Sequence, residues 1–296
     1  MNAEVRDSRF ARVVGSSAEC RKLAGGFLFT EGPLWDPRER RLLFSDIPGN
    51  EIRSWHAKDG VRSFRKPSHM SNGLAWDREG RLLCCEHASS SVTRTDGEGI
   101  VSVVASHYEG KALNSPNDIV VKSDGAIYFT DPSYGRMEYY GVSRPTELDF
   151  RGVYRVGAGG GLALLANDFD QPNGLCFSAD ERRLFVNDTA RGHVRVFDVM
   201  VDGSLANSRV WVKVSGEGPG APDGMKIDSE ENLYCCGPGG VHVFDRSATC
   251  LGVIRTPEGA ANFAWGGEDL CDLLITATSS LYGVRVTVPG VRSPFR

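Results

Sequence analysis

Nowhere does this chain hold an apolar run near the roughly 18 residues that a membrane-crossing helix requires. Its first twenty residues carry Glu4, Arg6, Asp7, Arg9 and Arg12 where a secretory leader would have an apolar stretch. These two absences predict a cytoplasmic protein with no membrane partner. A basic cluster is missing too. The 34 Lys and Arg are scattered among 38 Asp and Glu, for a net charge of −4, so there is no nucleic-acid footprint. Familiar catalytic signatures are absent: no G-x-S-x-G elbow, no H-E-x-x-H or H-x-H metal motif, no phosphate-binding loop. The Gly157–Gly161 stretch fails the dinucleotide spacing because Leu162 stands where the last glycine should be, and it reads as a turn. The eight cysteines do not follow zinc spacing. Four form the adjacent pairs Cys84-Cys85 and Cys235-Cys236 within apolar runs. Neighbours on a strand face opposite ways, so these read as small reduced core thiols. No long helical periodicity is present either, which leaves an all-β chain.

What is present is an internal repeat. Six segments share one pattern: Thr30-Glu-Gly-Pro-Leu-Trp35, Ser71-Asn-Gly-Leu-Ala-Trp76, Pro116-Asn-Asp-Ile-Val-Val121, Pro172-Asn-Gly-Leu-Cys-Phe177, Pro222-Asp-Gly-Met-Lys-Ile227 and Ala261-Asn-Phe-Ala-Trp265. A polar turn follows each, then an apolar strand such as Arg41-Leu-Leu-Phe-Ser45 or Asn232-Leu-Tyr-Cys-Cys236, then a third strand such as His193-Val-Arg-Val-Phe197. The acid or amide positions lie 41, 45, 56, 50 and 39 residues apart. Three or four strands at such a period make one propeller blade. The expectation is a single six-bladed β-propeller spanning residues 1–296. Within the N-terminal segment 1–24, Arg21-Lys-Leu-Ala24 would close the ring beside Leu281–Val288 of the last blade.

The first strand of each propeller blade lines the central channel, so Glu31, Asn72, Asn117, Asn173, Asp223 and Asn262 should converge on one axis. All six are oxygen donors and two are carboxylates. Buried unpaired carboxylates are costly, so this channel calls for a cation. Carboxylate and amide oxygens suit hard ions such as calcium, magnesium or manganese. No His occupies a repeated position, which disfavours an imidazole-rich zinc site. His87 and Tyr134 follow the second strands of blades two and three and are expected at the pocket mouth as substrate contacts, with Asn72 and Asn117. Asn262 is a further channel position, and Asp118 is expected to brace the site. Residues 134–151 fill the longest gap between repeats, a natural place for a lid.

Thr30-Glu-Gly-Pro33, Ser115-Pro-Asn-Asp118, Pro172-Asn-Gly174 and Pro222-Asp-Gly224, in this order, resemble the gluconolactonase/regucalcin (senescence marker protein) family from about Phe29 to Pro289. Phe129-Thr-Asp-Pro-Ser-Tyr-Gly135 and Cys235-Cys-Gly-Pro-Gly-Gly240 look like its bacterial gluconolactonase branch. The resemblance implies one catalytic divalent cation, calcium ahead of magnesium, manganese, zinc or iron, and hydrolysis of a sugar lactone. Its metal ligands fall on Glu31, Asn173 and Asp223, and its substrate-contacting Asn on Asn117. The regucalcin branch has an Arg two residues before that Asn; here Ser115 stands there, so that branch's sugar contacts do not carry over. Asp223 is the expected general base, with Asn117 orienting substrate or water. Two other readings remain: an aryl-esterase or organophosphate hydrolase using the same site, and a binding module with a structural metal.

Overall fold

Strands that face neighbours on both sides should be apolar throughout, and strands at a rim should not. The computed structural model, which describes residues 3–16 and 19–292, shows this gradient within each blade. In blade one, Thr30–Asp36 and Arg41–Asp46 are almost wholly buried, Glu51–His56 partly so, and Gly60–Arg65 is largely exposed. Blades two, three and four repeat the plan with inner strands Ser71–Trp76, Ile119–Val121 and Pro172–Phe177 and outer strands Val101–Ala105, Leu162–Phe169 and Leu205–Lys213. Blade five runs from Met225–Ile227 to Cys250–Arg255. Blade six runs from Ala260–Gly266 to Ser280–Arg285. The chain is a six-bladed β-propeller, every blade an antiparallel meander.

The blades meet through apolar clusters between neighbouring faces. Leu43 and Ile52 of blade one pack with Leu74, Trp76 and Cys84 of blade two. Leu42 and Phe44 pack with Ala264 and Leu274 of blade six, so the circle is complete. Cys84 and Cys85 enter different clusters, as do Cys235 and Cys236. All eight cysteines are free thiols. The opposite-face reading of the adjacent pairs therefore holds.

The N-terminal segment is used twice. Arg21–Gly25 forms the outer strand of blade six, with Arg21 opposite Gly283 and Gly25 opposite Ser280. Ala3–Val5 adds a fifth strand to blade five, opposite Gly252–Ile254. Between them a short helix, Phe10–Val14, drops Phe10, Val13 and Val14 into the cluster shared by blades five and six. Residues 1, 2, 17 and 18 of this segment lie outside the described residues. Burying three such side chains is worth about 6 kcal/mol. Deleting residues 1–25 should therefore lower the melting temperature by at least about 10 °C. An unchanged thermal transition would show that the ring closes without this segment.

Candidate metal centre in the channel

Four of the six inner strands carry a register shift at the repeated motif: Glu31/Leu34, Ser71/Leu74, Pro172/Leu175 and Ala260/Asn262. A bulge breaks alternation and re-aims a side chain. It lets the polar residue face the channel while the strand beyond it returns to apolar pairing. The glycine after the polar residue has a separate reason, the approach of the next blade. A methyl group on Gly174 would lie 2.2 Å from the Asp223 carbonyl oxygen, and one on Gly73 would lie 2.5 Å from that of Asn117. Those channel carbonyls are bonded across blades. Ser45 Oγ donates to Asn72 O at 2.8 Å, Thr130 Oγ1 to Asn173 O at 2.7 Å, Gly73 N to Asn117 O at 2.8 Å, and Asn187 Nδ2 to Asp223 O.

A second repeated device holds the loops that enter the inner strands. The acid ending the second strand accepts backbone N–H groups just upstream of the channel residue. Asp46 takes Leu28 and Phe29 at 3.1 and 3.2 Å, Asp131 takes Asn114 and Ser115 at 2.8 and 2.7 Å, and Asp188 takes Asp170 and Gln171 at 2.8 and 3.1 Å. Burial raises the Asp131 carboxyl to about 7 despite these donors. The sequence reading ended these strands one residue earlier and missed all three acids.

At the axis, the carboxyls of Glu31 and Asp223 come together, with the Asn173 amide beside Asp223. Glu31 is 3% exposed, whereas Asp223 keeps partial contact with solvent. Burial, and then mutual repulsion with Asp118 close by, holds both carboxyls above the usual carboxylate range. Glu31 Oε2 accepts Asn262 Nδ2 at 3.1 Å and the Gly32 N–H. Asn173 Nδ2 donates to Thr189 Oγ1 at 3.1 Å, and that hydroxyl donates to Pro222 O at 2.6 Å. The Asn117 side chain, buried, makes no hydrogen bond among the described residues.

Among the described residues no three His, Cys, Asp or Glu side chains form a metal cluster. The donor set is instead two carboxylates with amides. It fits a hard divalent cation, because two adjacent carboxylates raised by desolvation and by neighbouring negative charge are what such an ion would relieve. Asp118 is turned to other work: its carboxylate accepts the backbone N–H of Ile119 at 2.9 Å and that of Leu175.

The segment after blade three's second strand crosses the channel mouth. Tyr134 opens a single 3₁₀ turn, Tyr134–Arg136, with Thr189, Asp223 and Asp188 close to its phenol. Burial pushes its phenol up to about 12. Tyr140 stacks edge-on against Phe29 with ring centroids 5.0 Å apart, and Tyr139 donates to Leu28 O at 3.1 Å. Arg144 ties the return to His87 O and Ser90 Oγ at 3.2 and 2.5 Å.

His87 is placed differently from expectation. It is 1% exposed, wedged under this crossover, with Nδ1 2.7 Å from Tyr140 O and Nε2 3.3 Å from Asn72 Nδ2. A carbonyl partner puts the proton on Nδ1, so Nε2 accepts from Asn72. Burial lowers the imidazole to about 4, which keeps it neutral. His87 thus braces Asn72 and the crossover, and neither ring nitrogen is left for substrate. Asn72 Oδ1 is left buried without a partner, an acceptor available to a ligand hydroxyl.

The larger described cavity, about 770 Å³, lies elsewhere, between blades six and one beside Trp35, Trp55 and Arg285. It contains none of the channel residues, and its three arginines Arg21, Arg40 and Arg285 are all ion-paired. The channel, where buried acids and amides converge, is the better candidate for chemistry.

With this geometry in view, the comparisons with known proteins are informative. Residues 29–279 match the SMP-30/Gluconolactonase/LRE-like region. A gluconolactonase of Zymomonas mobilis is 32% identical, the alignment covering 95% of this chain and 85% of that protein. A pentonolactonase of Haloferax volcanii is 25% identical over 83% of this chain and 80% of its own. The solved structure of a gluconolactonase from Xanthomonas campestris superposes with a TM-score of 0.89 at 33% identity, covering 96% of this chain and 94% of that one. The chain therefore belongs to the SMP-30/gluconolactonase/LRE-like family.

Proposed function

We propose that this protein hydrolyses a sugar lactone to the open hydroxy acid, with one divalent cation held by Glu31, Asn173 and Asp223. The observation that carries the reading is the pairing of buried Glu31 with the partly accessible Asp223 carboxylate at the centre of a ring of amides. The gluconolactonases and pentonolactonase among its relatives support the substrate class. When bound, the cation supplies Lewis acidity toward the lactone carbonyl and compensates the two carboxylates. The all-oxygen donor set suits calcium, magnesium or manganese, and calcium is put first by the family resemblance.

The chain's own residues do the rest. Water adds to the carbonyl carbon, and breaking the ring C–O bond yields one carboxylic acid and one hydroxyl. Of the water's two protons, one passes to the leaving ring oxygen and the other is released to solvent as the acid ionises to the carboxylate. Asp223 is the group placed to accept the first of these protons, through a carboxylate oxygen that the cation does not engage, because it keeps contact with solvent where Glu31 does not. The unengaged Asn117 amide orients substrate or water. Asn72 Oδ1, unpartnered and held by His87, accepts a sugar hydroxyl. Tyr134 and the crossover roof the site and limit access by bulk water.

A pH-stat assay across aldono-lactones, aryl esters and an organophosphate tests this directly. Sugar lactones should turn over fastest, chelator should abolish the rate, and one equivalent of divalent cation should restore it. Full activity in the presence of chelator would overturn the metal assignment. Preference for an aryl ester would overturn the substrate.

A further inference from the structure

Next to the candidate centre the channel holds a cation of its own. Lys226 lies on the inner strand of blade five, three residues after Asp223, where the matching positions of other blades carry Leu34, Ala75, Val120 and Cys176. Its Nζ donates to Asn262 Oδ1 at 2.9 Å and sits 5.4 Å from the centroid of the Phe263 ring. Asn262 Oδ1 also accepts the Phe263 N–H at 2.9 Å, so its Nδ2 is directed to Glu31 Oε2. Asp118, buried near Glu31 and Asp223, feels Lys226 as the chief influence opposing its desolvation. Three carboxylates against one ammonium leave two net negative charges, the complement of a single divalent ion.

We infer that Lys226 is a resident counter-cation of the channel, a positioning residue whose charge, set against Asp118, limits how strongly the neighbouring centre holds a metal ion. This rests on the metal reading of Glu31, Asn173 and Asp223. An ammonium separated from Glu31 by a single bridging amide, that of Asn262, repels an incoming cation in proportion to the ion's charge. Removing it should tighten binding, and removing Asp118's charge should weaken it. A purely structural role predicts weaker binding from both changes, because each disturbs a buried network.

The test is calorimetric titration of the metal-free, full-length chain with Ca²⁺ and, separately, with Tb³⁺. K226M should bind Ca²⁺ about tenfold tighter, and Tb³⁺ by a larger factor. D118N should bind Ca²⁺ about tenfold more weakly, again with the larger change for Tb³⁺. K226R should match wild type, and the K226M/D118N double variant should return close to it. Circular dichroism and thermal unfolding confirm that each variant is folded. If K226M fails to fold, K226Q takes its place, with the same tightening expected. Folded variants that bind both ions as wild type does, or a K226M that binds both more weakly, would overturn the inference and leave the metal centre standing. A wild-type chain that binds neither ion would overturn the metal centre and this inference together.

Discussion

Replacing Glu31 by Gln, or Asp223 by Asn, is expected to remove the bound cation, cut kcat/KM by at least about 10³-fold, and make the metal-free protein more stable than metal-free wild type. The first two effects follow from losing one of two carboxylate donors. The third is specific to this geometry. Without a metal, the carboxyls of Glu31 and Asp223 stand side by side at the axis, and both are held above the ordinary carboxylate range, first by desolvation and then by neighbouring negative charge. A raised carboxyl takes up its proton more readily in the folded than in the unfolded chain. Its contribution to stability is therefore present at acidic pH and is lost as pH rises through the folded value toward neutrality. Chelated wild type should lose stability over that interval, while E31Q and D223N, each lacking half of the pair, should lose less. The difference at neutral pH should be about 1–3 kcal/mol, the ordinary cost of a buried polar group whose needs are unmet. Thermal unfolding in chelator at mildly acidic and at neutral pH, beside elemental analysis and the lactone assay, reads all three effects. Variants that keep metal and rate would end the assignment of these ligands. Metal-free variants less stable than metal-free wild type would show that the carboxylates are not in conflict.

The architecture was legible because a propeller writes its period into the chain. Each blade needs an inner strand that begins at a polar channel group and a second strand buried on both faces, and both patterns recur six times. The convergence of Glu31, Asn173 and Asp223 follows from that register. What could not be read were arrangements made between blades or by very short elements. Ala3–Val5 is three residues long and shows no alternation that could mark it as a strand. His87 follows a second strand just as Tyr134 does, yet a crossover from blade three covers it and engages Nδ1. No local spacing announces that crossover. Asp46, Asp131 and Asp188 stand one residue beyond the apolar pattern of the second strands, and their partners are backbone N–H groups 16 to 18 residues away. Lys226 did leave a trace: it is the one charge in a column of apolar residues, and its role depends on Asn262 and Asp118 of other blades.

Among the glycines, Gly174→Ala should cost on the order of 3 kcal/mol and lower the melting temperature by about 6–10 °C, while Gly161→Ala should be nearly neutral. A methyl group at Gly174 would stand 2.2 Å from the carbonyl oxygen of Asp223, which is backbone and is already held by Asn187 Nδ2. Neither partner can rotate away, so blades four and five must part or Asp223 must shift. Gly161 offers the contrast, since a methyl there meets nothing within 4 Å. Because Asn173 precedes Gly174 and the clashing carbonyl belongs to Asp223, the same methyl displaces two of the three proposed ligands at once. G174A should therefore weaken divalent-cation binding by more than its loss of stability would suggest, even at temperatures where it is fully folded. Calorimetric titration well below its melting point separates the two effects. If G174A melts early yet binds metal as wild type does, the glycine serves only the seam between the blades. If it melts as wild type does, the close approach across that seam is not as the geometry describes. The expected result, instability together with weakened binding, would mean that one glycine sets both the spacing of the blades and the placing of the site, since the ligands sit on the very strands whose separation it fixes.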